Sequence, residues 1–258
     1  MTAGNKRFTA VVAILFLLAL VGLTGCTEPK QTVGFPVAHA ISGGAGGIAP
    51  AENMTVVPAA IWEKALARPD MMAYAANFRY YADKDLDMDI SADVTAGEVP
   101  LLLQWDKRWG YDFYGTDYMG LNGCAPTALT IVYAGLTGNT DVNPYDMAKY
   151  AEENGLYLSG QGTKWELMEV GGRYLGLRVQ RIWKDQNAIR NALAEGKLLT
   201  VRVGKGDFTD GGHFLVVCGI DESDLLEIRD PNSPEKSAQL WEFDRIMEQA
   251  SCFWSFDI

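Results

Sequence analysis

"LNGCAPTALTIVYAG", residues 121–135, sets a cysteine between a glycine and an alanine-proline pair, at the head of an apolar run with helical spacing. Cys124 thereby falls at the start of a predicted helix that reaches about Leu136 and is closed by Gly138 and Asn139. First-turn N–H groups have no intrahelical acceptor and the helix dipole is positive there, so a thiolate is favoured over a thiol at this place. Pro126 suits the same turn, because its missing N–H has no partner to lose. A helix that opens on a potential nucleophile fixes one half of the fold.

Downstream the punctuation is clear. In residues 142–155, Asn143 reads as an N-cap, Pro144 as the first helical position and Gly155 as the stop. "GTKWELMEVGGRYLG", 162–176, suggests another helix with Thr163 and Glu166 as its capping box. "LRVQRIW", 177–183, reads as a strand, and "DQNAIRNALAEG", 185–196, as a helix closed by Gly196. The helical period then largely stops. "KLLTVRVG", "GHFLVVCGID", "LLEIRDP" and "CFWSFDI" are strand-like, the last two separated by a short helix around 243–250. Helices first and strands later predict an α+β fold, with the cysteine on an N-terminal helical half and the strands in a C-terminal antiparallel sheet.

Upstream lies a different texture. Residues 1–26 have Lys6 and Arg7, an apolar run from Ala10 to Leu23, and small residues before Cys26, the layout of an export signal. "LTGC" resembles the lipobox of bacterial lipoproteins, which implies a signal peptide over 1–25 and lipidation of Cys26; the alternative is a signal anchor with an incidental cysteine. Residues 26–57 are rich in Gly, Ala, Pro and Thr and read as a flexible tether. Residues 58–98 form a helical extension of unassigned role: two short helices interrupted at Pro69, then an acidic, loop-like, solvated stretch. The catalytic-looking region is 99–258.

A net charge of −11 argues against nucleic acid as a partner. Beyond Cys26, Cys124, Cys218 and Cys252 make an odd set, so at least one thiol stays unpaired unless it bridges chains. Cys218 and Cys252 sit in apolar strands, as buried small hydrophobes or as a mutual disulfide. Cys124 is then the thiol that needs a chemical explanation.

The chain has two histidines, and His39 lies in the tether, which leaves His213 as the imidazole available to Cys124 as general base. His213 follows Gly211 and Gly212, which permit close approach of backbone or substrate. The "DESD" turn should fold the next strand back beside it and carry Asp230 to the histidine as its orienting carboxylate, with Asn232 the less favoured choice. Acyl transfer also needs oxyanion donors: the Cys124 N–H is one, and Gln104 in "LLLQWDKRWG" is the candidate for the other. Gln161 suits a cleft rim.

"LLLQWDKRWG", "NGCAPTALTIVYAGL", "GGHFLVV" and "IRDPN", in that order, resemble the C39-like branch of the papain-like cysteine peptidases over about 99–258. The resemblance implies Cys124 as nucleophile, His213 as base, Asp230 as orienter and Gln104 as oxyanion-hole amide. The chain lacks the nucleotide-binding motif of members fused to exporters, and "NGCAPTA" stands in place of the plant papain signature. The expectation is an exported cysteine peptidase, lipid-anchored to the outer face of a bacterial membrane, monomeric, acting on peptide or protein substrates without metal or cofactor. An acyl transferase of transpeptidase or transglutaminase type, and a non-catalytic surface binding lipoprotein, are the alternatives.

Overall fold

A computed structural model describes residues 56–258. The signal peptide, Cys26 and the tether up to residue 55 lie outside these residues.

The extension begins with α1 (Ala59–Ala67) and α2 (Met72–Tyr81), separated by a 3-10 turn at Pro69–Met71. Pro69 lacks the N–H that would continue the first helix. The pair buries Ile61, Ala65, Met71, Tyr74 and Phe78 against Tyr111, with Trp105 and Leu121 at the margin. Tyr74 stacks on Tyr111 at 4.6 Å between ring centroids, and its hydroxyl donates to the Gly110 carbonyl at 2.6 Å. The extension is therefore packed on the segment that leads into the cysteine helix.

Residues 99–112 run in extended and turn conformations, joined to the body by Gln104 N–H donating to the Pro231 carbonyl at 2.7 Å. A small hairpin, β1 (Phe113–Tyr114) with β2 (Asp117–Tyr118), leads into the one-turn α3 (Met119–Asn122). Then comes α4 (Cys124–Thr137), stopped by Gly138 in the left-handed region at φ 71°. Every residue of α4 from Ala125 to Ala134 is buried, so this helix is the axis of the helical half. In α5 (Pro144–Glu153) the Asn143 side chain accepts from Tyr145 and Asp146 N–H groups, and the Asp146 carboxylate accepts from Asn143 N–H.

One expected cap is absent. Thr163 belongs to a second small hairpin, β3 (Tyr157–Leu158) with β4 (Gly162–Thr163), and its hydroxyl meets Tyr114 Oη at 2.8 Å. The helix α6 (Leu167–Tyr174) starts after a turn with Glu166 already in helical geometry, so the Thr163–Glu166 capping box does not form.

The sheet half contains β5 (Arg178–Ile182), α7 (Gln186–Ala194), β6 (Leu198–Val203), β7 (His213–Ile220) and β8 (Leu225–Arg229). It is completed by α8 (Pro234–Ser237), β9 (Trp241–Glu242), α9 (Phe243–Gln249) and β10 (Ala250–Asp257). Six antiparallel strands lie in the order β5-β10-β6-β7-β8-β9. Alternation with period two splits the central strands between two cores. Leu198, Phe214, Val216, Trp254 and Phe256 pack with α4 and its neighbours, while Leu199, Val201, Leu215, Val217 and Phe253 pack with α7 and α9. Cys218 and Cys252 carry free thiols.

Candidate active site

The site forms where the start of α4 meets the start of β7. Gly123 precedes Cys124 as the residue flanking the helix, and Cys124 is half-buried. His213 and the Phe214 backbone N–H act on it, both favouring the thiolate. His213 is 4 % exposed, held by the pairing of β7 with β6 in which Val203 faces His213. The other side of the ring meets Asp230: His213 Nε2 lies 2.6 Å from Asp230 Oδ1. Nδ1 is thus the ring nitrogen left for the thiol.

Asp230 is placed as the hairpin argument expects. β7 and β8 are antiparallel with Val216 opposite Arg229, and Asp230 follows directly as a fully buried carboxylate. Its Oδ1 also accepts the Asn232 backbone N–H at 2.8 Å, and its own N–H donates to Ser237 Oγ at 2.8 Å. Asn232 therefore supports Asp230 through its backbone instead of touching the imidazole.

The electrostatics of the three groups are coupled. Burial works to raise the Cys124 pKa, yet the hydrogen bond and charge of His213, the Phe214 N–H and the charge of Arg202 together bring it below the ordinary thiol value. Burial likewise works to lower His213, and Asp230 and Cys124 reverse this, raising it to about 9. Asp230 is held below the usual carboxylate range: its burial is outweighed by His213, the Asn232 N–H and the charge of Arg68. These directions agree on a thiolate-imidazolium pair backed by an ionised carboxylate.

Gln104 is brought to the same region as a buried side chain, 1 % exposed. Its Nε2 donates to the Gly120 carbonyl at 2.8 Å, and its backbone N–H is fixed on Pro231. A primary amide has two hydrogens, so one donor remains beyond Gly120. The segments before Cys124 and after Asp230 are tied together through this residue.

A hollow of about 150 Å³ adjoins the thiol, lined among others by Cys124, Gln161, Trp165, Arg202 and Gly212. Gln161 does lie on its rim. A larger hollow of about 500 Å³ lies between α2 and residues 103–111, and neither Cys124 nor His213 lines it. Among the described residues no group of three His, Cys, Asp or Glu side chains stands together as a metal site.

Two contributors were missed from the sequence. Arg68, in the turn between α1 and α2, donates to the Asn232 carbonyl, which Trp105 Nε1 also reaches at 3.2 Å. Arg202, on the central strand β6, lines the thiol hollow. A signal for Arg202 was present: one cation interrupting "LLTVRV", a run apolar enough for a strand covered on both faces.

A buried helix packed on an antiparallel sheet, with the thiol on one and the imidazole on the other, defines a papain-like α+β fold. Residues 97–255 match the Peptidase_C39 like family, and the chain belongs to that family. The peptidase domain of Streptococcus ComA, a bi-functional ABC transporter involved in a quorum sensing pathway, is similar at 17% identity and a TM-score of 0.44, covering 62% of this chain and 98% of that one. A putative C39-like peptidase from Bacillus anthracis is also 17% identical, with a TM-score of 0.37, covering 64% of this chain and 97% of its own. No curated protein matches the chain.

Proposed function

We propose that the protein is a cysteine peptidase that cleaves peptide bonds through a Cys124 acyl-enzyme. The observation that carries this reading is the buried His213 ring, 2.6 Å from the Asp230 carboxylate and acting with its charge on the Cys124 thiol to favour the thiolate. The Cys124 thiolate attacks the scissile carbonyl carbon, and the carbonyl π electrons move to oxygen. The Cys124 N–H and the uncommitted hydrogen of Gln104 Nε2 receive that oxyanion. The His213 imidazolium then gives its proton to the departing amine and, now neutral, takes one from the water that releases the acid. Asp230 holds the ring orientation and the charge throughout.

Turnover of internally quenched peptides by the purified protein tests the reading. Cys124→Ala should reduce kcat/KM to background, and His213→Ala by on the order of 10²–10⁴. Turnover that survives Cys124→Ala would overturn it.

Export and anchoring belong to the same proposal. The basic, apolar and "LTGC" sequence of residues 1–26 supports lipidation at Cys26, which would hold the enzyme on the outer face of a bacterial membrane. Metabolic labelling with an alkyne fatty acid in a bacterial host should tag the wild-type chain and leave Cys26→Ala untagged. Equal tagging of both would remove the anchor.

A further inference from the structure

Arg202 is a charge without a carboxylate. Among the described residues it forms no ion pair within 4.0 Å, whereas Arg181, nearby, is held by Glu169 through contacts of 2.5 and 2.8 Å. Its Nη1 donates to the Val203 carbonyl, and the guanidinium lies 5.6 Å from the Trp165 ring centroid. It rests on Gly212, where an added Cβ would come within 1.7 Å of Nη2. Gly212 thus makes the room that lets a half-buried cation reach the cleft beside His213.

That position joins two hollows. The smaller contains Cys124; the other, of about 420 Å³, is lined by Lys164, Glu166 and Arg181 among others, and Gln161, Thr163, Trp165 and Arg202 belong to both. With Arg181 paired to Glu169, Lys164 and Arg202 against Glu166 still give this larger hollow a net positive lining, in a chain whose net charge is −11. A guanidinium offers a planar fork of donors that matches a carboxylate, and partial desolvation strengthens the pairing.

We propose that Arg202 is the specificity-determining residue for an acidic peptide substrate, binding a carboxylate on a residue that adjoins the scissile bond. The carboxylate is either an Asp or Glu side chain or a free C-terminus. This rests on the reading of Cys124 as nucleophile, because it is the shared hollow that sets the carboxylate beside the cleaved bond.

The test uses the full-length protein in detergent and two peptide pairs: Glu against Gln beside the cleaved bond with the C-terminus amidated, and a free against an amidated C-terminus with no acidic side chain. Both pairs are measured for turnover and, with Cys124→Ala, for binding by calorimetry. The acidic member of one pair should bind about tenfold or more tightly and carry the advantage in KM. Whichever pair responds identifies the source of the carboxylate. Arg202→Gln should bring the ratio to about one, with a loss on acidic peptides that exceeds any loss on neutral ones through the thiolate, and Arg202→Lys, which keeps the charge and loses the fork, should retain part of the ratio. Equal binding within both pairs overturns the proposal, as does a ratio that survives Arg202→Gln. So does an Arg202→Gln defect equal for acidic and neutral peptides and matched by slower Cys124 alkylation, which would make Arg202 only a counter-ion of the thiolate. Acid-selective binding without turnover by the wild type would instead sink the peptidase reading and leave the anion site standing.

Discussion

At the level of single residues, Cys124 and His213 set each other's charge, and this has a direct consequence in pH. The reactive pair needs Cys124 ionised and His213 protonated, so kcat/KM should fall as pH rises through about 9, where His213 loses its proton. Alkylation of Cys124 needs only the thiolate and should persist above that pH. The two profiles measured side by side should diverge there; parallel profiles would mean that His213 does not supply the proton. The same shift is a stability statement. A histidine raised from 6.5 to about 9 contributes stability that is complete below pH 6.5 and lost as pH rises through about 9. The stability difference between wild type and His213→Gln in urea should therefore shrink across that window. Among the other described thiols, burial raises Cys218 to about 12 and also raises Cys252, so a limiting alkylating agent near pH 6 should label Cys124 ahead of both, as peptide mass mapping would read. Cys124, His213 and Asp230 were legible because a helix start, a scarce imidazole and a hairpin are local signals. Arg202 was marked as a lone cation in an apolar strand, but its role was not legible, since a strand sequence alone does not tell which cation faces water and which faces a cleft.

At the level of elements, α1 and α2 lie before the region that matches the family, yet they reach the site from behind. Arg68 binds the Asn232 carbonyl next to a carboxylate that must stay ionised, and it pairs with Asp70 at 2.9 Å. Arg68→Ala should leave the fold intact and lower kcat/KM several-fold, about 1 kcal/mol, less than the ~1.5–3 kcal/mol of a charge-assisted hydrogen bond because water partly replaces it. Tyr74→Ala tests the packing side: removal of a ring 3 % exposed should cost about 3–5 kcal/mol in urea unfolding. An unchanged denaturation midpoint would show that the extension only lies on the surface. The two short helices and their break at Pro69 could be read from spacing and proline chemistry. Their docking could not, because it depends on Tyr111 and Trp105, aromatic residues in a stretch without regular period. The Thr163 cap failed for a related reason: a two-residue hairpin leaves almost no sequence signature, and tertiary pairing with Tyr157 took the threonine first.

For the whole molecule, residues 56–258 belong to one contact unit, with one hydrophobic cluster between the helical half and the sheet, one between the sheet and α7 and α9, and one between α1, α2 and Tyr111. Thermal unfolding should accordingly show a single transition by far-UV and near-UV circular dichroism alike, and limited proteolysis should not release residues 58–98 as a stable separate piece. The α+β order was readable, since helical period gives way to strand period near residue 197. The strand order was not: β10 inserts between β5 and β6 and is paired on both sides. That placement makes β10 part of the core, so deletion of Ala250–Asp257 should abolish folding.

The β3–β4 hairpin has the opposite character. Its ladder has only two residue pairs, and its tip carries Gly160 and Gly162 with positive φ and open space where a side chain would sit, while Tyr157 and Thr163 at its base are tied to Thr116 and Tyr114. Yet Gln161, Gly162 and Thr163 form one wall of the thiol hollow. The protein thus keeps its chemistry on a buried helix and an interior strand and one wall of its cleft on the tip of a short hairpin, which makes residues 158–162 the part of the cleft whose sequence is least bound by the core.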